Sequence, residues 1–376
     1  MDRDGVITVN ASFFDLYADY YLNSSLNYSD WNNSTRGQAC DLGEGIRFEA
    51  VFIPALYSLA IAVGLPGNGL LLWVLAQQRK DKSVTDNFIL HLGIADTLLL
   101  LTLPFWAAEA AQDRGWSFGT PLCKITGAIF TINFYCGIFL LVCISLDRYL
   151  SIVHATQMYN RKKPWVVQVT CLTVWVLSLV LSIPDWIFLE EVREERQDKM
   201  FCIHVYERFS QSASHWWLVS RLLYHVVGFL LPSAALLYCY SCIMARLLRG
   251  SQGLQKQRAV KVILVLVAVF FLCWMPYNIT LLLDTVYSNQ TSSSHCEVDA
   301  SLDKALKVTS SLGYLHCSLN PVLYAFVGVK FRHQLLNLLC SVSCRLKMGM
   351  GWNMPVHSRR GSIWSESADT SNSTVI

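Results

Sequence analysis

Seven long stretches of apolar residues follow one another along the chain, separated by shorter polar segments. A helix of about 20 residues crosses the roughly 30 Å of hydrocarbon in a bilayer, and every stretch reaches that length. The stretches cover residues 51–76, 88–111, 122–153, 166–189, 217–248, 260–286 and 306–329. Six of them contain a proline, which would interrupt a strand but is tolerated in a packed transmembrane helix. The pattern predicts an all-α fold, a bundle of seven transmembrane helices.

Composition agrees with a membrane protein and argues against soluble domains. Charged residues make up 15% of the chain and apolar residues 53%, too many to be buried in soluble cores. The predicted organisation is an outer arm over residues 1–49, a membrane domain over 50–329 and an inner tail over 330–376. We expect lipid around the bundle and no nucleic-acid partner. We also expect no enzymatic activity, since no span carries a metalloprotease or serine-protease motif.

Basic residues lie in segments that share one side of the membrane. They follow spans one, three, five and seven: Arg79, Lys80, Lys82, Arg161, Lys162, Lys163, Arg246, Arg249, Lys256, Arg258, Lys330, Arg332, Arg345 and Lys347. The positive-inside rule makes this side cytoplasmic. The opposite side is acidic, so the net charge of +3 conceals two faces of opposite charge. We therefore expect a multi-pass plasma-membrane protein with an extracellular N-terminus.

The arm is acidic and has few large aliphatic side chains, which indicates disorder. Tyr17, Tyr20 and Tyr21 stand near acidic residues, a setting that favours tyrosine sulfation. Such an arm attracts a basic partner and speeds its encounter, although a merely solvated tail has the same composition. Glycosylation sequons on the outer side are Asn10, Asn23, Asn27, Asn32, Asn33 and Asn289.

Four of the 13 cysteines lie on the oxidising outer side, where disulfides form. Pairing Cys123 with Cys202 would tie the second outer loop over the bundle, and pairing Cys40 with Cys296 would tie the arm to span seven. The sequence alone leaves the connectivity open. The cysteines inside the spans are most simply small apolar packing residues, and we expect no metal site among them.

Polar side chains inside the helices are costly in lipid and are therefore candidates for function. Asp96 lies in span two, while Asn68, Asn133 and Asn320 lie in spans one, three and seven. These four residues predict either a sodium or water site or a structural network without a bound ion.

Three short motifs lie in spans three, six and seven, each at its proper depth. They are Asp147-Arg148-Tyr149, Cys273-Trp274-Met275-Pro276 and Asn320-Pro321-Val322-Leu323-Tyr324. In this order they resemble the motifs of class A G-protein-coupled receptors, and the resemblance extends from span one to the segment after span seven. Finer features resemble the chemokine receptor family: the segment 147–155, Thr102-Leu103-Pro104 and His316-Cys317-Ser318-Leu319-Asn320-Pro321.

The resemblance implies a ligand that is a small, folded, basic protein, a CXC chemokine. Its body would meet the tyrosine-bearing arm and its N-terminus would enter the bundle. The pocket residues that this implies are Trp106, Glu109, Asp113, Tyr135, Asp185, Asp284 and Ser310. Ser310 stands where many chemokine receptors carry a glutamate. Gly137 lacks the hydroxyl that often completes a sodium site in related receptors.

On the inner side the resemblance implies a heterotrimeric G protein of the inhibitory Gi class. Trp274 above the Pro276 kink would be the lever of span six, and its movement would open a cleft near Arg148, Tyr240 and Tyr324. Lys256 stands where an acid would lock Arg148 to span six, so Arg148 is expected to rest on Asp147.

The segment after span seven combines two predicted features. Residues 330–339 alternate basic and apolar positions at helical spacing, which predicts a short amphipathic helix on the inner leaflet. Phosphorylation by receptor kinases would add charge that attracts arrestin. The predicted sites are Ser362, Ser365, Ser367, Thr370 and Ser371.

Other functions share part of this pattern. A scavenging receptor that internalises chemokine without coupling to G protein would have nearly the same sequence features, although the intact motif at Arg148 argues against it. A transporter would be expected to show internal repeats or broken helices that meet at mid-membrane, and neither is evident.

Overall fold

The structure is a computed structural model, which describes residues 43–77, 83–154, 164–194, 199–206, 213–249, 254–287 and 296–327. All seven predicted spans are helical in it, which confirms the predicted fold.

Span one is α1 (Gly43–Gln77), span two is α2 (Val84–Leu100) with α3 (Leu103–Ala111), and span three is α4 (Gly119–Tyr149) with a π-helical turn (Leu150–His154). Span four is α5 (Pro164–Leu181) with α6 (Ile183–Phe188). Span five is α7 (Ala213–Leu222), a π-helical segment (Leu223–Leu230) and α8 (Leu231–Arg249). Span six is α9 (Leu254–Tyr287) and span seven is α10 (Cys296–Val327). The predicted helix over 330–339 lies outside the described residues.

Spans two, four and five change their helical geometry just before a proline. Pro104, Pro184 and Pro232 have no N–H, and each ring crowds the preceding turn of its helix. The hydroxyls of Thr102 and Ser182 donate to the carbonyl three residues earlier, at 2.7 and 2.8 Å. In span five a π-helical segment takes up the disturbance instead. Prolines therefore set where these spans bend.

Span three is the central helix and packs against spans two, four, five and six, whereas span seven packs against spans one, two and six. Span five approaches span three so closely at Gly228 that a Cβ there would lie 2.4 Å from a ring carbon of Phe134. Large apolar side chains cover the outside of the bundle: Leu172 is 63% exposed, Leu237 67% and Leu272 72%. Such a surface matches lipid and not water.

Among the described residues, six helical spans are long and apolar enough to cross a membrane by length and composition. The seventh is 32 residues long, but it carries polar side chains that the bundle buries. These residues are Ser311, His316, Ser318 and Asn320. Since they point away from lipid, they lower the hydropathy of span seven without preventing it from crossing.

A β-hairpin covers the outer end of the bundle and is the one described element that the helical prediction did not include. Its strands β1 (Leu189–Glu194) and β2 (Lys199–His204) pair antiparallel, with Leu189 opposite His204. The first outer loop joins the hairpin, because the Trp116 N–H donates to the Met200 carbonyl at 2.8 Å. Gly115 has a φ of +69°, and a Cβ there would lie 2.2 Å from the same carbonyl oxygen. The loop therefore needs glycine at this point.

Candidate functional site

The outer mouth of the bundle is held by a disulfide. Cys123 at the start of span three is bonded to Cys202 in β2, with 5.6 Å between their Cα atoms. This is one of the two predicted pairs, and it fixes the hairpin over span three. Cys40 lies outside the described residues, so its pairing with Cys296 stays a prediction.

Two of the predicted pocket carboxylates already have partners within the protein. Asp185 is buried, and its Oδ1 lies 2.8 Å from Nε2 of His204 in β2. The Asp284 Oδ2 lies 2.7 Å from a guanidinium nitrogen of Arg221, so this ion pair joins span five to span six. The Arg221 guanidinium also lies 5.4 Å from the ring centroid of Trp217. A basic ligand group would have to compete with these internal partners.

Tyr206 connects the two pairs. Its ring stacks on the His204 imidazole with 5.8 Å between centroids and packs on Phe188 at 4.7 Å. The phenol shares a hydrogen bond with the Ser220 hydroxyl, and burial raises the pKa of Tyr206, so the phenol stays protonated. Span four, the hairpin and span five are thereby linked through side chains, and the Arg221 pair continues the connection to span six.

The other predicted polar pocket residues differ in accessibility. Asp113 is exposed on the rim. The Glu109 carboxylate is partly buried and interacts with the Lys307 ammonium and the backbone N–H of Cys202. The Ser310 hydroxyl donates to the backbone carbonyl of Lys307 at 3.0 Å. Glu109 thus also has a cation nearby, whereas Asp113 is positioned to meet a ligand in solvent.

Two predicted pocket residues belong to aromatic clusters. Trp106 packs on the ring of Trp116, 5.1 Å away between centroids. Tyr135 is fully buried, with the rings of Phe134 and Phe139 at 5.2 and 5.9 Å. A ligand contacts Tyr135 only if neighbouring rings move.

Trp274 is fully buried at the centre of an aromatic group between spans three, six and seven. The ring of Phe130 lies 5.4 Å away and that of Phe270 6.0 Å away. Span seven contributes Gly313, where a Cβ would lie 3.0 Å from two ring carbons of Trp274. Pro276 follows within the same helix. The side chain predicted as the lever of span six therefore has very little free space.

The predicted polar network is present, with one member displaced. The two carboxylate oxygens of Asp96 accept hydrogen bonds from the amides of Asn133 at 3.1 Å and Asn320 at 2.7 Å. The Cys317 thiol donates to Oδ1 of Asn133 at 3.6 Å. The Asn68 amide instead donates to the backbone carbonyl of Cys317 at 2.9 Å. Asn68 therefore ties span one to span seven and does not reach the carboxylate.

The groups around the Asp96 carboxylate do not fit a sodium ion, which was one of the two alternatives predicted for this network. Sodium is a hard cation that needs several oxygen ligands, and the Asp96 carboxylate offers only the lone pairs that its two amide hydrogen bonds leave. Asn68 is turned away, and Gly137 offers no hydroxyl. The other groups beside the carboxylate are the imidazole of His316 and the thiol of Cys317, which are poor sodium ligands.

At the inner end of span three, Arg148 contacts Asp147 and Thr85. A guanidinium nitrogen lies 3.8 Å from Oδ2 of Asp147, as predicted. The same nitrogen donates a hydrogen bond to Oγ1 of Thr85, at the start of α2. Arg148 is only 8% exposed and Thr85 is fully buried. Spans two and three are therefore joined through a buried cation.

The tyrosines predicted around this end lie in separate contacts. The Ser145 hydroxyl donates to the phenol oxygen of Tyr240 at 3.0 Å. Tyr149 and Tyr238 share a long hydrogen bond of 3.5 Å. Tyr324 is 2% exposed, and its phenol has no hydrogen-bond partner within the described part of the chain. The buried phenols lie on spans five and seven, the two helices that would line a cleft.

Among the residues not predicted from the sequence, Thr85, His204 and Arg221 pair directly with predicted charged side chains. Only Arg221 gave a usable signal, because an ionisable residue inside an otherwise apolar span demands a partner. Nothing in the sequence around Thr85 or His204 marks either residue as a partner of a charged side chain. The side chains that they contact, those of Arg148 and Asp185, lie elsewhere in the sequence.

Several predicted sites lie outside the described residues. They are Tyr17, Tyr20, Tyr21, Asn10, Asn23, Asn27, Asn32, Asn33, Asn289, Ser362, Ser365, Ser367, Thr370 and Ser371.

The helical bundle, with an acidic outer mouth and a buried arginine at its inner end, defines a seven-helix membrane receptor. The family described as 7 transmembrane receptor (rhodopsin family) matches residues 67–324. The chain is 46% identical to the C-X-C chemokine receptor type 3 of Homo sapiens over 334 residues, 89% of this chain and 88% of that protein. It is 44% identical to the type 3 receptor of Bos taurus over 357 residues, 94% of this chain and 95% of that protein. The type 5 receptor of Homo sapiens is 38% identical over 352 residues, 93% of each chain.

The chain therefore belongs to the rhodopsin family and, within it, to the CXC chemokine receptors. These are receptors and not enzymes, and the protein is a multi-pass protein of the plasma membrane. The segments 52–58, 183–185 and 324–332 resemble the type 3 group, and the comparisons confirm this likeness.

Proposed function

We propose that this receptor binds basic CXC chemokines at its outer mouth and activates a heterotrimeric G protein of the Gi class at its inner face, driving calcium signalling and leukocyte chemotaxis. One observation carries the proposal: Arg148 is buried at the inner end of span three and held by Asp147 and Thr85. The Arg148 guanidinium can therefore bind a new partner only after Asp147 and Thr85 have moved away from it.

The ligand acts in two steps. Its folded body meets the sulfated arm, where opposite charges speed association. Its basic N-terminus then enters the mouth, where Asp113 is exposed and Asp284 is paired with Arg221. A ligand cation that takes over the Asp284 carboxylate separates the ion pair between spans five and six. The ligand thereby favours the arrangement in which span six has moved, and this differential binding shifts the equilibrium.

The aromatic group around Trp274 transmits the change. Spans three, six and seven pack closely around this ring, so movement of span six forces the rings to repack. The inner ends of spans five, six and seven then separate. Arg148, Tyr240 and Tyr324 line the resulting cleft for the G protein. Receptor kinases and arrestin act later on the phosphorylated tail.

The test measures how fast the receptor, purified in lipid nanodiscs, catalyses nucleotide exchange on purified Gi protein. Chemokine binding is measured on the same samples. We expect exchange to rise on ligand addition in the wild type and to be lost in Arg148→Ala, while ligand binding persists. Arg249→Ala is the matched control, because it removes an exposed cation from the same membrane face. Ligand binding without exchange in the wild type would refute the proposal and favour a scavenging receptor.

A further inference from the structure

Asp96 in span two and two consecutive residues of span seven, His316 and Cys317, form a compact buried cluster. One potential ligand atom from each residue lies within 4.8 Å of the others. Asp96 and Cys317 are fully buried, and His316 is 2% exposed. A carboxyl, an imidazole and a thiol therefore converge at one point inside the bundle.

These groups keep unused capacity for a ligand. Nδ1 of His316 has no hydrogen-bond partner among the described residues, although the ring is buried against Phe270 with 5.3 Å between centroids. Each Asp96 oxygen accepts one amide hydrogen bond, and the carboxylate also interacts with the Cys317 thiol hydrogen, which a metal ion would displace. A buried polar atom without a partner is costly, so it points to a ligand that the cluster can bind.

The chemistry of the donors selects the kind of ion. Thiolate, imidazole and carboxylate are the three ligand types that Zn²⁺ takes in proteins, whereas sodium prefers a set of oxygens. The charges also balance, because one thiolate and one carboxylate neutralise a divalent cation while the imidazole remains neutral. Charge balance matters here since the site lies in a low-dielectric interior.

We propose that Asp96, His316 and Cys317 bind one Zn²⁺ ion, contrary to the expectation that the buried cysteines only pack. Zinc bonds of about 2.0–2.3 Å require the three ligand atoms to close by roughly 1 Å. On binding, the S–H bond of Cys317 breaks, the Zn–S bond forms and the thiol proton leaves to solution. Oδ1 of Asn133, which now accepts that thiol hydrogen at 3.6 Å, becomes free to face the ion as a fourth ligand.

A bound ion joins span two to span seven three residues before Asn320 and four before Pro321. It restrains the part of span seven that the activating movement displaces, so zinc favours the resting receptor. The site itself rests on its three ligands and not on the proposed chemokine or G protein. A binding measurement without either partner therefore tests it independently of the proposed function.

The experiment uses the full-chain receptor in nanodiscs, stripped with a chelator and titrated with zinc chloride by calorimetry in buffer containing sodium chloride. We expect the wild type to bind one ion more than Cys317→Ser or His316→Ala, or to bind it at least about tenfold more tightly. Cys239→Ser is the matched control, because it removes a buried thiol from span five, outside the cluster. Zinc should also raise the unfolding temperature of the wild type and of the control by several degrees, and not that of the two ligand variants.

A second measurement needs no variant. Cobalt(II) replaces zinc in such sites and gives an intense thiolate-to-cobalt absorption band when a cysteine ligates it. We expect this band in the stripped wild-type receptor and its loss on adding zinc. Equal zinc binding by the wild type and Cys317→Ser, or a cobalt spectrum without the thiolate band, would overturn the proposal.

Discussion

Replacing Thr85 with valine isolates the contact that holds Arg148 at rest. Valine keeps the shape of threonine but has no hydroxyl, so the guanidinium nitrogen loses the acceptor that Oγ1 provides. The nearby Asp147 carboxylate, 3.8 Å away, remains in place. Arg148 is only 8% exposed, so water can replace the lost partner only in part. The resting arrangement is therefore destabilised, whereas an arrangement that has already released Arg148 is not.

The expected size of the effect follows from the charge on the donor. A hydrogen bond to a charged group contributes about 1.5–3 kcal/mol. At about 1.4 kcal/mol for each factor of ten, the ratio of active to resting receptor should rise about 10- to 100-fold. If about 1% of the receptor is active without ligand, this change makes about 10–50% of it active.

The assay is ligand-independent nucleotide exchange on Gi protein, normalised to the amount of folded receptor. Thr173→Val is the control, because it removes a threonine hydroxyl on the lipid-exposed side of span four that bonds only within its own helix, to the Val169 carbonyl at 2.9 Å. We expect basal exchange to rise in Thr85→Val and to stay at the wild-type level in Thr173→Val. Unchanged basal exchange and unchanged ligand potency in Thr85→Val would refute the role of this hydrogen bond.

Three further predictions concern the outer mouth and the core. Arg221→Ala should strengthen chemokine binding by up to about tenfold, because the exchange of a largely buried ion pair for one with the ligand contributes roughly 1 kcal/mol; competition binding measures this, and a gain that persists when Asp284→Asn is added would contradict the reasoning. Gly313→Ala should destabilise the protein by about 1–3 kcal/mol, since the added methyl group would lie 3.0 Å from ring carbons of Trp274; thermal unfolding in detergent reports the loss, and an unchanged unfolding temperature would show that the ring has room. Cys202→Ser should cost about 4.5 kcal/mol in the chain-entropy account, because the disulfide closes a loop of 79 residues; a variant with full thermal stability and full chemokine binding would argue against this.

Local patterns were sufficient for the architecture. The length and hydropathy of each apolar stretch identify it as a membrane span, and the lysine and arginine residues of the loops give the orientation of the chain in the membrane. Neither inference needs knowledge of which helices are neighbours. The motifs at Arg148, Trp274 and Asn320 were recognisable for the same reason. The changes of helical geometry before Pro104, Pro184 and Pro232 were not predicted, although a missing N–H acts within its own helix and the prolines are visible in the sequence.

The partners of the polar residues could not be obtained in this way. Which face of a helix meets which neighbour depends on its rotation and depth after packing, and a shift of one residue turns a helix by about 100°. Asn68 was therefore placed with Asp96, whereas it bonds to the backbone of span seven. The carboxylates predicted to line the pocket at Asp185 and Asp284 are paired with His204 and Arg221, and neither partner was predicted.

The sequence by itself determined seven membrane-spanning helices, their orientation and the membership of a receptor family, because each follows from composition and spacing within short segments. Only the tertiary structure decided that Thr85 joins the predicted Asp147 as a partner of Arg148, and that Cys123 is bonded to Cys202. It also brought the imidazole and thiol of span seven to Asp96. These contacts join residues distant in the chain, and their energies depend on distances of a few ångströms that exist only after the helices have packed.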